Sequence, residues 1–183
     1  MDKEFSNINT LAVLKAMNQY IKIYTPISVP TYIDKKHNQR TAGDKKFLTH
    51  SELTYVGSAE QSFIQLMSEG EIQHGTYFAI TPCHRDEILD ETHLEVFLKI
   101  ELIAIGADIK NILLYDAMDV FTFLNPRGHF EIVNSGNREG EKDILMNGIE
   151  IGSYGTSRTP DGTIYTYGTG LAEPRFSYAV SKG

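Results

Sequence analysis

Apolar positions recur at spacings of three and four through Leu11, Leu14, Met17 and Ile21, predicting an amphipathic helix with Asn9 or Thr10 at its N-cap. The β-prone run 23–33 follows. Pro26 and Pro30 confine it to a sheet edge, since neither can donate to a ladder. After a polar loop, 34–50, residues 54–56 read as a short strand and 58–69 as a helix. Ser58 at the N-cap and Gln61 three residues on form a capping-box pattern. Two long β-prone runs, 77–83 and 96–105, flank the charged stretch 85–92, which predicts an antiparallel pair. Helical spacing returns over 108–123. Runs 143–146 and 149–153 then flank Asn147-Gly148, the dipeptide best suited to a two-residue hairpin. A turn at Pro160-Asp161-Gly162 leads to a strand over 163–167, and 171–180 is expected to be helical. The pattern predicts an α+β fold, an antiparallel β-sheet flanked by helices, as one domain over 1–183. It lacks the βαβ alternation with a Gly-rich phosphate turn that a Rossmann or P-loop fold requires.

Composition narrows the function. The chain has 183 residues, 41% hydrophobic and 22% charged, with no apolar run near the roughly 20 residues a membrane span needs. Met1-Asp2-Lys3-Glu4-Phe5 has no basic start before an apolar core, so no secretory signal and a cytoplasmic setting are expected. The single cysteine, Cys83, rules out an internal disulfide or thiolate cluster and reads as an inert thiol within an apolar strand. A net charge of −7 opposes a nucleic-acid backbone unless basic residues gather on one face. Lys35, Lys36, Arg40, Lys45 and Lys46 are the one such cluster, so tRNA is a possible partner but not the favoured one. His37, His50, His74, His84 and His129 show no paired spacing, and zinc is not expected.

Three separated stretches carry complementary chemistry. His84-Arg85-Asp86-Glu87 precedes a loop and His93-Leu94-Glu95-Val96-Phe97; Asp143 and Glu150 flank the hairpin turn, with Ser153 beyond; Gly168-Thr169-Gly170 leads to Arg175. Arginines suit phosphate and carboxylate through bidentate contacts. Two carboxylates folded together by a hairpin suit Mg²⁺ shared with phosphates. Taken singly, each stretch also reads as ordinary structure: a solvated ion-paired turn, a core phenylalanine, an exposed acidic hairpin.

Together and in this order they resemble motif 2, the metal-binding strands and motif 3 of the class II aminoacyl-tRNA synthetase catalytic core. The 143–153 stretch is most similar to the aspartyl, asparaginyl and lysyl subclass and to ammonia-dependent asparagine synthetase. The helix and proline-bearing strand of 9–33 loosely resemble motif 1, which in that family builds a homodimer interface. The resemblance implies that Arg85 bridges the α-phosphate of ATP and the substrate carboxylate, and that Glu87 contacts adenine while Phe97 stacks on it. It further implies that His93 meets phosphate oxygens, Gly170 lies beside nucleotide, and Arg175 holds the γ-phosphate. Asp143, Glu150 and Ser153 would lie at Mg²⁺ and phosphates. Glu60 falls where the family presents an acid or amide to the substrate amino group; a helix-dipole acid reads equally well there. Arg158 stands near the arginine that holds an acidic side chain in the subclass, one residue further along. Ala172 and Pro174 depart from the usual motif 3, where a third glycine and an acid stand. One of Tyr154, Tyr165 and Tyr167 is a candidate for the amino-acid pocket.

At 183 residues, no additional anticodon-gripping domain is expected. The expected function is therefore ATP-dependent activation of an amino acid as its aminoacyl-adenylate, with transfer to a small-molecule, base or protein acceptor. The alternatives are a minimal synthetase charging tRNA through the acceptor end and a catalytically silent nucleotide- or amino-acid-binding module.

Overall fold

The computed structural model describes residues 19–33, 52–86, 88–136 and 139–183. The predicted N-terminal helix, the 34–50 loop and Glu87 lie outside the described residues. Ile21, expected to end that helix, instead begins strand β1 (Ile21–Lys22). Strands β2 (Ser28–Pro30) and β3 (Leu53–Tyr55) form a small antiparallel sheet. There follow α1 (Ala59–Ser68), β4 (Gly75–His84), β5 (Val96–Ile105) and α2 (Lys110–Leu124). The chain continues with β6 (Phe130–Asn134), β7 (Lys142–Met146), β8 (Ile149–Arg158), β9 (Ile164–Ala172) and α3 (Arg175–Ser181).

The main sheet has seven strands in the order β1-β4-β5-β9-β8-β7-β6. All neighbours are antiparallel except β1, which runs parallel to β4. The predicted pair is in register, Tyr77 opposite Ile103 and Cys83 opposite Phe97. Asn147 and Gly148 have φ of 52° and 79°, the left-handed pair a tight hairpin turn demands. The capping box of α1 forms as expected, with Gln61 Oε1 accepting from the Ser58 backbone N–H at 3.1 Å.

Two expectations at the C-terminal end need correction. Strand β9 continues through Ala172 because its residues pair with β5, Gly168 opposite Leu102 and Leu171 opposite Ile100. The last helix consequently begins at Arg175, with Pro174 as its N-cap, a position that tolerates the missing N–H. Gly168 lies inside β9, where a Cβ would run into the ring of Tyr154, so the glycine makes room for a core tyrosine. Strand β6 was not anticipated. It is an edge strand with residues 131, 132 and 134 exposed, and thus lacks a buried apolar face.

Alternation along β5 divides the core. Ile100, Leu102 and Ala104 pack toward Leu113, Val120 and Phe121 of α2 and Phe176 of α3. Ile103 and Ile105 pack with Phe63 and Ile64 of α1 and with Val29 and Val56. Burial of each of the Ile, Leu, Val and Phe side chains contributes about 1.5–3 kcal/mol. On this second face the apolar cover stops short: residues 100–105 of β5 are buried, whereas 96–99 are only half-buried. There the exposed end of the face carries Phe97 and Lys99, and a cleft opens. Among the described residues no helix is long and apolar enough to cross a membrane.

Cys83 is fully buried, and burial pushes its thiol up to about 12. The native protein should therefore resist thiol-labelling reagents at mildly alkaline pH and react only once unfolded in guanidinium. Rapid labelling of the native state would contradict this placement.

Candidate active site

Two strand irregularities shape the cleft. On β8, Ile144 of β7 faces Gly152 whereas Leu145 faces Glu150, so Ile151 is an extra, bulged residue. Glu150 and Ser153, three apart, would point to opposite faces of a regular strand; the bulge returns both to one face, which Asp143, opposite Ser153, shares. On β9, Gly170 is the extra residue between Leu171, opposite Ile100, and Thr169, opposite Glu101. It brings Thr169 and Ala172 onto that face in the same way.

The cleft is walled by Arg85, His93, Phe97 and Lys99 on one side and by Glu150, Ser153, Thr169 and Arg175 on the other. The Arg85 guanidinium lies over the Phe97 ring, 5.1 Å from its centroid, and its Nε donates to the Gly57 carbonyl at 3.0 Å. Arg175, the first residue of α3, donates through Nη1 to Glu150 Oε1 at 3.2 Å and through Nη2 to His93 Nε2 at 3.0 Å. Because a guanidinium can only donate, Nε2 of His93 is the acceptor. The imidazole proton then sits on Nδ1, which donates to the Asp90 carboxylate at 2.8 and 2.9 Å. The Thr92 backbone N–H, followed by His93, holds the Asp90 carboxyl well below the usual carboxylate range.

Lys99 was missed by the sequence reading. Its ammonium contacts Glu101 Oε1 at 2.6 Å, and Glu101 is buried. Glu101 also accepts from Ser58 Oγ at 2.5 Å and from the Ala59 backbone N–H, at the positive end of α1. Burial raises the Glu101 pKa, but Lys99, Ser58 and Ala59 together outweigh it and hold the carboxyl below the usual range. The signal was present as Lys-x-Glu inside an otherwise apolar strand, two residues beyond Phe97 on the same face.

The remaining expected residues lie around the cleft. Asp143 is buried, and its Oδ1 has no hydrogen-bond partner among the described residues; it does not form part of the cleft wall. No group of three His, Cys, Asp or Glu side chains poised for a metal occurs among the described residues. Glu60, in the first turn of α1, accepts from the Tyr165 hydroxyl at 2.8 Å. The neighbouring Tyr167 hydroxyl donates to the buried Glu141. Arg158 is exposed, donates to the Gly162 carbonyl at 3.0 Å, and stands roughly 25 Å along β8 from Glu150. Ser157, opposite Tyr165, occupies the face that Arg158 does not.

A cleft with three cationic side chains, a planar aromatic and the carboxylates of Glu150 and Glu173 is chemically suited to a polyanion bearing a flat ring. The fold is the class II aminoacyl-tRNA synthetase catalytic fold. It superposes on pyrrolysyl-tRNA synthetase from Desulfitobacterium hafniense, described in one structure as PylSc, with a TM-score of 0.72 and 17% identity over 92% of this chain and 64% of that one. A second structure of the Desulfitobacterium hafniense pyrrolysyl-tRNA synthetase gives 0.71, 16%, 92% and 66%. Seryl-tRNA synthetase from Pyrococcus horikoshii, complexed with ATP, gives 0.72, 15%, 93% and 48%. The chain thus spans about half to two thirds of these neighbours. At such identities the likeness is one of fold. No family model and no curated protein matches the chain.

Because the folded-state pKa of Glu101 is depressed, its ionised form contributes stability that is present above the unfolded value, about 4, and lost as pH falls below it. Parallel urea melts of wild type and Glu101→Gln should show a stability gap near neutrality that narrows as pH falls below about 4. A gap that stays constant down to strongly acidic pH would refute the assignment.

Proposed function

We propose that this protein is an ATP-dependent ligase that activates an amino acid as its aminoacyl-adenylate and passes the acyl group to a small-molecule, base or protein acceptor. The observation that carries this reading is the gathering of Arg85, Phe97, Glu150 and Arg175 around one cleft from elements far apart in sequence. In it, Phe97 stacks on adenine, Arg85 bridges the α-phosphate and the substrate carboxylate, and Arg175, oriented by His93, takes the γ-phosphate. Glu87 serves the adenine side and Gly170 lets the backbone approach the nucleotide. Each cation acts where negative charge develops at the transferring phosphorus, the kind of contact that lowers a barrier most.

Mg²⁺ fits the donor set. A buried carboxylate oxygen without a partner on Asp143, together with Glu150 and the Ser153 hydroxyl on the same sheet face, offers the one or two carboxylates that this ion takes beside phosphate oxygens. When bound, it would neutralise phosphate charge and favour departure of pyrophosphate. The protein side chains do the positioning. Glu60 would receive the substrate ammonium, with the Tyr165 hydroxyl fixing its carboxylate. The spacing of Asp143, Glu150 and Ser153 supports kinship with the aspartyl, asparaginyl and lysyl subclass. For Arg158 to hold an acidic side chain, however, it would have to leave the Gly162 carbonyl. A second reading, charging of tRNA at its acceptor end, draws support from neighbours that are tRNA synthetases; the net charge of −7 weighs against it.

With magnesium present, ATP–pyrophosphate exchange should appear with one amino acid among a full panel. Arg85→Ala should slow it by about 10² or more. Unchanged exchange in Arg85→Ala and Glu150→Ala would refute the site, and absence of exchange with every acid would favour a silent binding module.

A homodimer is also proposed, because the described part of the segment resembling motif 1 leaves Ile21, Tyr24, Ile27 and Tyr32 exposed. Such a patch suits a self-complementary interface. Sedimentation at micromolar concentration should give twice the 20.6 kDa chain mass, falling to monomer in Tyr24→Asp. A wild-type mass of one chain would rule the dimer out.

A further inference from the structure

Lys99 is a cleft cation that the roles above leave unused. Its side chain is 12% exposed, and among the described residues its ammonium bonds only to Glu101 Oε1, at 2.6 Å. Two of the three ammonium donors therefore remain for a ligand. Glu101 does not rely on the lysine alone, since Ser58 Oγ and the Ala59 N–H already reach both of its oxygens. Nor does stability require the pair, because a buried ion pair is often no better than an apolar substitute of similar volume. A lysine kept in the wall of a cleft, in a strand otherwise rich in Ile and Leu, points toward a bound anion.

Its position identifies which anion. Phe97, Lys99 and Glu101 alternate along one face of β5, so Lys99 lies about 7 Å beyond the Phe97 ring. That distance is comparable to the span from a purine ring to its 5′ phosphorus. In the next row Glu101 faces Thr169, whose hydroxyl accepts from the Ser153 backbone N–H at 3.5 Å. Lys99 thus stands between the ring assigned to the base and the strand assigned to metal and outer phosphates. Arg175 is held at the far edge by Glu150 and His93. From this order we infer that Lys99 contacts the nucleotide's first phosphate, the one adjoining the ribose and attacked by the substrate carboxylate. The inference rests on the nucleotide reading above and extends it to a residue the motifs do not contain.

Calorimetric titration of the full chain with adenosine, AMP, ADP and ATP tests it. Wild type should gain roughly tenfold or more in affinity from adenosine to AMP, the increment of a charge-assisted contact. Lys99→Met should lose a measurable part of that increment, the rest being supplied by Arg85, yet bind adenosine normally, and Lys99→Arg should keep more of it than Lys99→Met. Arg175→Ala should lose the increment from ADP to ATP. If Lys99→Met does not fold, the Lys99→Met, Glu101→Gln double variant, which leaves no charge unpaired, gives the same reading. An unchanged adenosine-to-AMP increment, or an equal loss for adenosine and AMP, would overturn the assignment and leave Lys99 a structural partner of Glu101. A wild type that binds none of the four compounds would instead refute the nucleotide reading itself, and this inference with it.

Discussion

A buried carboxylate needs compensation from every side, and the Glu101 carboxylate receives it from three: the Lys99 ammonium, the Ser58 hydroxyl and the first free N–H of α1. Removing one member of such a buried charged set typically costs about 3–5 kcal/mol, so the set fixes relative positions that apolar packing alone would leave adjustable. It joins the N-terminus of α1 to the middle of β5. Gly57, beside the same cap, accepts from Arg85, so the arginine at the end of β4 is held by the same corner. The start of α1, the middle of β5 and Arg85 after β4 therefore share one polar anchor.

The opposite wall is set by backbone rather than by charge. Regular strands would split Glu150 from Ser153 and Thr169 from Ala172; one extra residue in each strand reunites them. The Asn147 side chain also donates to the Ala179 carbonyl at 2.9 Å, tying the hairpin turn to the helix that begins with Arg175. Hairpin and helix thus place Glu150 and Arg175 within reach of one another from separate stretches of sequence.

Much of this was legible in the residues. The capping box of α1, the pairing of β4 with β5 and the Asn147-Gly148 turn each rest on a local rule, and the structure follows them. Arg85, Phe97, Glu150 and Arg175 were singled out from motif order and do meet around one cleft. What escaped depends on tertiary context. The length of β9 is set by its ladder with β5, the need for Gly168 by a tyrosine on another strand, and the bulges by no visible sequence pattern. Lys99 is hidden for a different reason: it is the one cation in a strand whose pattern otherwise reads as apolar.

The contact between Arg175 and Glu150 has a further consequence. In the ligand-free cleft the two neutralise one another, so neither is fully available to a visitor. A divalent ion that claims Glu150 releases Arg175 for phosphate, and a phosphate that claims Arg175 leaves Glu150 in need of a new positive partner. On the proposed function, metal and nucleotide would enter as a matched pair, each removing the obstacle to the other, and linkage would require that each raise the other's affinity by the same factor. Such reciprocity would make the cleft a poor trap for either species alone and a selective receptor for the two together.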